Sequence, residues 1–306
     1  MSFSFIEVAS SWKAEKSNYV KVSTICVYTE IIECHLTPFF GEQKPITHDT
    51  VQEFVNQSLA NGFSQKTVKD AVVVIKMIQK YGVRKGYWNL ELISPTYPAN
   101  DHKKSIPVIT KRNQKKLFNH LKANLDLKNL GLIICLFTGI RIGEVCGLMW
   151  GDTDLKKGII SIKRTIQRIQ IPDEQGNKTS LHIGRPKTST SERIIPLPTI
   201  VLELMRGFKK DADKESYVLT GTKTPLEPRI YRNYFSKLCK KLRIPKIKFH
   251  GLRHTFATRC IESKCDYKTV SAILGHTNIS TTLNLYVHPN NSQKKKCIEK
   301  MMKDFQ

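Results

Sequence analysis

Over residues 1–92 apolar side chains return every three to four positions, the period of helices that bury one face. The spacing predicts one helix over about residues 5–15 and a second over 20–34, with Thr37-Pro38-Phe39-Phe40-Gly41 breaking the pattern. Thr47-His48-Asp49 offers capping side chains for a third helix that runs to Leu59 and closes at Asn61-Gly62. Ser64 caps a fourth, in which Val68, Ala71, Val72, Ile75, Met77 and Ile78 form one apolar strip. Residues 93–101 are rich in turn formers and carry no period, and Pro107 adds another interruption. The chain therefore divides into a helical domain (residues 1–92), a linker (93–109) and a second domain (110–306).

In the second domain Thr110 caps a helix reaching about Leu121, and the unbroken apolar run Leu130 to Phe137 reads as a buried helix. Residues 158–171 are strand-like, residues 173–177 supply a turn, and residues 180–197 return as strands with their own turn at 188–191. Beyond Pro198 helices dominate, with Tyr217-Val218-Leu219 a candidate short strand. The fold class is mainly α with a small β-sheet, an α+β arrangement containing one hairpin region.

Charge narrows the partner. Fifty Lys and Arg oppose 26 Asp and Glu, a formal net charge of +24. Such a chain repels itself unless a polyanion is its working partner, so nucleic acid or an anionic membrane surface is implied. No apolar run is long enough to span a bilayer, and the first residues lack the pattern of a secretion signal. That leaves nucleic acid as partner and the cytoplasm as compartment. Lysines 66, 69, 76 and 80, with Arg84 and Lys85, are either a solvated face or a surface for a DNA backbone. The eight cysteines form no C-x-x-C pair and read as reduced, mostly buried thiols.

Candidate chemistry gathers toward the C-terminus, in His250-Gly251-Leu252-Arg253-His254, Leu274-Gly275-His276 and Tyr286. His250 and Arg253, three apart, share one helical face, where a guanidinium can bind a phosphate oxygen while the imidazole exchanges a proton. His254 lies on the adjacent strip and reads as a packing residue. Arg141, in Thr138-Gly139-Ile140-Arg141-Ile142-Gly143-Glu144, opens a helix whose apolar face is Val145, Leu148 and Met149. It suits an anion held at that helix end, a salt bridge to Glu144, or both together. Taken singly, His276 is a surface histidine, Tyr286 a core residue beside Leu283 and Leu285, and Lys187 a solubilising lysine at a hairpin turn.

Other site chemistries fail on composition. His250 and His254 have the i, i+4 spacing of a zinc-binding helix, but Gly251 stands where the carboxylate belongs and Arg253 repels a cation. No cluster of Asp or Glu between His250 and His288 could hold magnesium, and no phosphate-cradling glycine pattern is present. Neither a metal nor a cofactor is expected.

Together these motifs, with Pro186-Lys187-Thr188 and Leu285-Tyr286-Val287-His288, resemble the tyrosine recombinase family, the phage and transposon integrases. The resemblance implies a helical core-site-binding domain and a catalytic domain that form a clamp around DNA. It makes Tyr286 the nucleophile, leaving a 3′-phosphotyrosyl link and a free 5′-hydroxyl. Arg141, Arg253 and His276 would favour the phenolate, and the two guanidiniums would neutralise the non-bridging oxygens. Lys187 would protonate the departing 5′ oxygen, and His250 would deprotonate the tyrosine or hold the phosphate. The implied partners are double-stranded DNA and further copies of the chain, a homodimer on each site and a homotetramer in the synapse, to which DNA-bending or directionality proteins can add. About 100 residues precede the second domain, as in the shorter Xer-type and transposon recombinases, and Ser280 to Tyr286 looks more like integrases of low-GC bacteria. Integration or excision of a mobile element and Xer-like dimer resolution both remain open. So do two further readings: a type IB topoisomerase and a DNA-binding regulator that does not cleave. Ile298, Met301 and Met302 give the tail an apolar stripe suited to a neighbouring subunit or to its own domain.

Overall fold

The computed structural model describes residues 3–41, 46–99, 107–171, 179–185, 192–210, 212–276, 278–280, 283, 295, 298–299 and 301–302. The chain splits into two compact units, residues 1–103 with 169–179, and residues 104–168 with 180–306.

In the first unit α1 (Phe5–Ser17) starts at Ser4, whose hydroxyl accepts from the Glu7 amide while the Glu7 carboxylate takes the Ser4 amide at 2.8 Å. Two donors that a helix start leaves orphaned are thus satisfied by one residue pair. Helix α2 (Val22–Ile31) does not stop at the expected break. It runs through a π-helical turn, Ile32–Leu36, into α3 (Thr37–Phe40), and the chain leaves the helix only at Gly41. Pro38 lies just after the π-helical turn, the kind of local irregularity at which a helix accommodates a proline. Ile32, Leu36 and Phe40, four apart, are all buried, so core packing carries the helix past the proline.

Thr47 caps α4 (His48–Ala60) and Ser64 caps α5 (Gln65–Arg84), each side chain accepting from the amide three residues on. Val68, Ala71, Val72, Ile75 and Ile78 of α5 lie in one core with Phe5, Trp12, Phe40 and Phe54. Several of the basic residues on this unit already have partners. Lys66 pairs with Asp70, Lys69 stands 4.7 Å over the Tyr97 ring, and Arg84 and Lys85 both reach Glu15.

The second unit is built around α7 (Leu127–Thr138), in which every residue from Leu130 to Leu136 is buried. It packs against α6 (Lys111–Ala123), α8 (Ile142–Cys146), α9 (Thr199–Lys209) and α11 (His250–Glu262). Asp126 caps α7 and Gly139 ends it. The strands are β1 (Thr153–Asp154), β2 (Ile159–Ile162), β3 (Thr165–Ile169), β4 (Ser180–Gly184) and β5 (Arg193–Pro196).

Two sheets form where one hairpin region was expected: antiparallel β1-β2-β5, and a separate pair β3-β4. The strand-like run splits at Lys163-Arg164, because Arg164 turns inward to Asp152 and to the Gly147 carbonyl at 3.3 Å. The same contact explains why α8 stops at Cys146 instead of extending toward Trp150. Gly147 lies tightly against Arg164, and a short 3-10 turn, Trp150–Asp152, follows. Tyr217 makes only an isolated bridge with Met149, so no strand forms there. Helices α10 (Pro228–Lys241) and α12 (Tyr267–Leu274) complete the unit, with Asp266 capping α12 through the Thr269 amide at 2.8 Å. Among the described residues no helix is long and apolar enough to cross a membrane.

Candidate active site

The site forms where the end of α7, the start of α11 and the end of α12 meet. Gly139 closes α7 in the left-handed region, at φ 66°. A Cβ there would lie 2.6 Å from a Phe256 ring carbon and 2.8 Å from a Leu274 methyl, so a side chain at this point would have to displace both. The next turn presents Arg141 in extended conformation just before α8. Its amide donates to Glu144 Oε2 at 2.8 Å and its Nη1 to Glu144 Oε1 at 2.7 Å. Its Nη2 donates to the Gly275 carbonyl at 3.2 Å. The salt bridge thus coexists with a side chain that is still 36% exposed. Helix α8 is a single short turn, so an anion here would be held by the arginine and not by a helix dipole.

Arg253 is 2% exposed and donates from Nη1 to the Gly139 carbonyl at 3.1 Å and from Nη2 to the Leu274 carbonyl at 2.7 Å. A third arginine, which sequence reasoning passed over, joins from β5. Arg193 donates from Nε to the Ile273 carbonyl at 2.6 Å, and from its two terminal nitrogens to Glu144 at 3.1 and 2.9 Å. Ile273, Leu274 and Gly275 therefore each give one carbonyl to one guanidinium. The last carbonyls of a helix lack partners within it and carry the negative end of its dipole, so cations satisfy both needs. Gly275, at φ 64°, then turns the chain so that the His276 amide donates back to the Ser271 carbonyl at 3.1 Å.

A signal for Arg193 was present in the sequence. In a half-buried strand side chains alternate, and Ile195 is buried while Ile194 is 62% exposed. Arg193 lies two positions from Ile195 and so must face inward, where a charge needs a partner. Glu144 is that partner. Burial pushes its carboxyl up, but the hydrogen bond and charge of Arg193, with the charge of Arg141, bring it down to about 2.

The imidazoles are held neutral. His250 opens α11 with its ring edge-on to His254, the centroids 4.6 Å apart at 90°. The residue as a whole is exposed, but protein crowds the ring itself. That desolvation, then His254, Arg253 and Arg141, lowers its pKa to about 4. Desolvation and the charges of Arg253 and Arg141 bring His276 to about 4 as well. At neutral pH both rings are proton acceptors. A cleft of about 270 Å³ opens beside Arg141 and His250, lined also by Thr165, Gln167 and Phe249. Among the described residues no group of three His, Cys, Asp or Glu could hold a metal ion.

Arg141, His250, Arg253 and His276 are therefore neighbours, while Lys187 and Tyr286 lie outside the described residues. Residues 107–293 match the model of the phage integrase family, and residues 4–59 match that of the phage integrase N-terminal SAM-like domain. The chain is 29% identical over 271 residues to a XerC-like tyrosine recombinase of Caldanaerobacter subterraneus subsp. tengcongensis, covering 81% of this chain and 69% of the relative. It is 27% identical to the transposase from transposon Tn916 of Enterococcus faecalis, over 78% of this chain but only 62% of that protein. Its fold is similar to that of the Tn1549 transposon integrase solved in complex with transposon right end DNA, at a TM-score of 0.80 and 20% identity, over 98% of this chain and 99% of the other. The family match spans well over half of the residues, and the chain belongs to the phage integrase family, the tyrosine recombinases.

Proposed function

We propose that this recombinase cuts and rejoins double-stranded DNA at specific sites, with Tyr286 as the nucleophile, for integration or excision of a mobile element. One observation carries the reading: two guanidiniums and two neutral imidazoles, Arg141, Arg253, His250 and His276, converge at the end of α12. A phosphodiester approaching them meets the part-exposed Arg141 guanidinium as a donor to its non-bridging oxygens, the buried charge of Arg253 behind it, and bases for a phenol proton.

In the proposed step the Tyr286 oxygen bonds to phosphorus and the bond to the 5′ oxygen breaks. A histidine, His250 the better exposed, takes the phenol proton, and Lys187 gives one to the departing oxygen. A phenol with a pKa near 10 is a weak nucleophile at pH 7, so this proton acceptor and the local cations matter. Reversal by a 5′-hydroxyl of another strand rejoins the DNA with no other energy source. Each chain carries one Tyr286, whereas exchange between two duplexes breaks four strands. A pair on each site and four copies in the synapse follow.

Residues 1–92 would bind the core site, 93–109 link, and 110–306 cleave, the two domains closing as a clamp on the duplex. DNA-bending or directionality proteins would assist, in the cytoplasm of a bacterium and at its nucleoid. Similarity to the Tn916 transposase favours a mobile element, and the XerC-like relative supports dimer resolution as the second reading.

The test is a pool of nicked duplexes with randomised sequence, in which cleavage sheds a short strand and traps the protein. Wild-type protein forms an SDS-resistant adduct whose DNA can be sequenced, and Tyr286→Phe binds the recovered site but forms none. An adduct that survives in Tyr286→Phe removes the nucleophile assignment. Binding weakens steeply with salt if many phosphates are contacted, and a flat response contradicts that.

A further inference from the structure

We propose that Arg193 is a positioning residue for strand cleavage: from β5 it fixes the Glu144 carboxylate behind Arg141 and the end of α12 ahead of His276. The inference rests on the reading above and adds to it a residue with no direct role in the chemistry. Its side chain is 7% exposed, and each of its three donor positions has an assigned task. Nη1 and Nη2 grip both oxygens of Glu144, at 3.1 and 2.9 Å, and Nε holds the Ile273 carbonyl at 2.6 Å. Glu144 in turn holds Arg141 twice, by its amide at 2.8 Å and its Nη1 at 2.7 Å.

The carboxylate is nearly sealed from water, 3% exposed, and such a group stays ionised only if its partners outweigh desolvation. Among the described residues the groups that face it are Arg141 at the start of α8, Arg193 on β5, Cys135 on α7 and His250 on α11. Cys135 is a buried thiol whose own pKa is pushed well up, and His250 is neutral, so neither offsets the carboxylate's charge. The hydrogen bond and charge of Arg193 outrank the charge of Arg141 among the influences that keep Glu144 low. Without Arg193 the carboxyl would take up a proton within the working pH range. A protonated Glu144 grips the guanidinium of Arg141 less firmly, and the Ile273 end of α12 would lose its tie to the sheet.

The experiment measures covalent adduct formation from pH 5 to pH 8, on the site recovered with wild-type protein, for wild type, Arg193→Gln and Arg193→Lys. Thermal melting establishes that each variant folds. Arg193→Gln is expected to cleave on the order of a hundredfold more slowly than wild type at low pH, since small misplacements of catalytic groups cost about that much. Its rate relative to wild type should climb with pH through a midpoint between about pH 5 and pH 7, because a buried carboxyl stripped of a partner rises by several units. Arg193→Lys keeps the charge beside Glu144, so its ratio to wild type should be constant with pH. One ammonium cannot hold both the carboxylate and the Ile273 carbonyl, so a loss of up to about a hundredfold is expected. A constant ratio for Arg193→Gln overturns the proposal, because a purely structural loss is indifferent to pH. If Arg193→Gln does not fold, Arg193→Lys decides, and a pH-dependent ratio or a loss beyond about a hundredfold overturns it. Wild-type protein that forms no adduct removes the recombinase reading itself, an outcome distinct from failure of the Arg193 assignment alone.

Discussion

The guanidinium of Arg141 donates to the carbonyl oxygen of Gly275 at 3.2 Å, across 134 residues of chain. This bond joins the loop after α7 to the loop after α12, the first carrying a cation and the second delivering His276. Arginine and histidine are thereby referred to one short stretch of backbone.

Arg141→Lys tests whether the fork geometry matters. A lysine ammonium can reach Glu144 or Gly275, but its single nitrogen cannot span both and also face a phosphate. DNA affinity should change little, since one phosphate contact among many is kept as a charge. Adduct formation should fall by about a hundredfold. Equal cleavage by the variant in a single-turnover assay would take Arg141 out of the site.

Gly139→Ala tests the convergence of the three elements. The backbone there is left-handed, and the added methyl would sit 2.6 Å from Phe256 and 2.8 Å from Leu274. Strain and displacement together should cost about 1–3 kcal/mol of stability. Cleavage should suffer more than DNA binding, because Gly139 and Leu274 are the two carbonyls that hold Arg253. A variant that melts with wild type would mean the contact is easily relieved.

Stability should fall on mild acidification. His250 and His276 have pKa values near 4 in the folded chain against 6.5 when unperturbed. Between those values the unfolded chain binds more protons, so stability rises with pH over that window and is lost as pH drops through it. Glu144 has the opposite kind of group but the same consequence. Its stabilisation is present above its unperturbed 4.5 and disappears only as pH falls toward 2. From pH 6.5 down to 4.5 the histidines therefore act without Glu144. Melting temperatures over that interval should decline for wild type and decline less for a His250→Asn, His276→Asn double variant; parallel curves would contradict the neutral-imidazole assignment.

Lys187 can be tested by changing the leaving group. Lys187→Ala should cleave ordinary DNA slowly, by about 10²–10⁴-fold if the lysine is the general acid. Replacing the departing 5′ oxygen with sulfur should restore most of that rate, because a thiol near pKa 8.5 leaves without a proton. No recovery on the sulfur-bridged strand would assign the proton to another group.

Much of this architecture can be seen in the chain before it folds, and the parts that cannot have identifiable causes. Ser64 and Asp266 cap their helices as local chemistry dictates, and the apolar strip of α5 turns inward as its period requires. The expected break at Pro38 fails because burial of Leu36 and Phe40 outweighs a local stop signal. The expected strand over residues 158–171 divides in two because Arg164 is drawn to Asp152, a contact that no strand pattern contains, while β3 and β4 still pair on either side of the expected turn. The proximity of Arg141, His250, Arg253 and His276 came from motifs rather than from periodicity. Arg193 was missed because an arginine on a short strand looks like surface until its phase is checked against a buried neighbour.

The three carbonyls at the end of α12 have an electrical consequence. A helix end offers roughly half a unit of negative charge, and among the described residues one carboxylate stands against three guanidiniums here. Among the described residues the positive charge at this spot is in excess. Under the proposed function a phosphodiester brings negative charge to this spot, and DNA of whatever sequence should then act as a thermal protectant as well as a target.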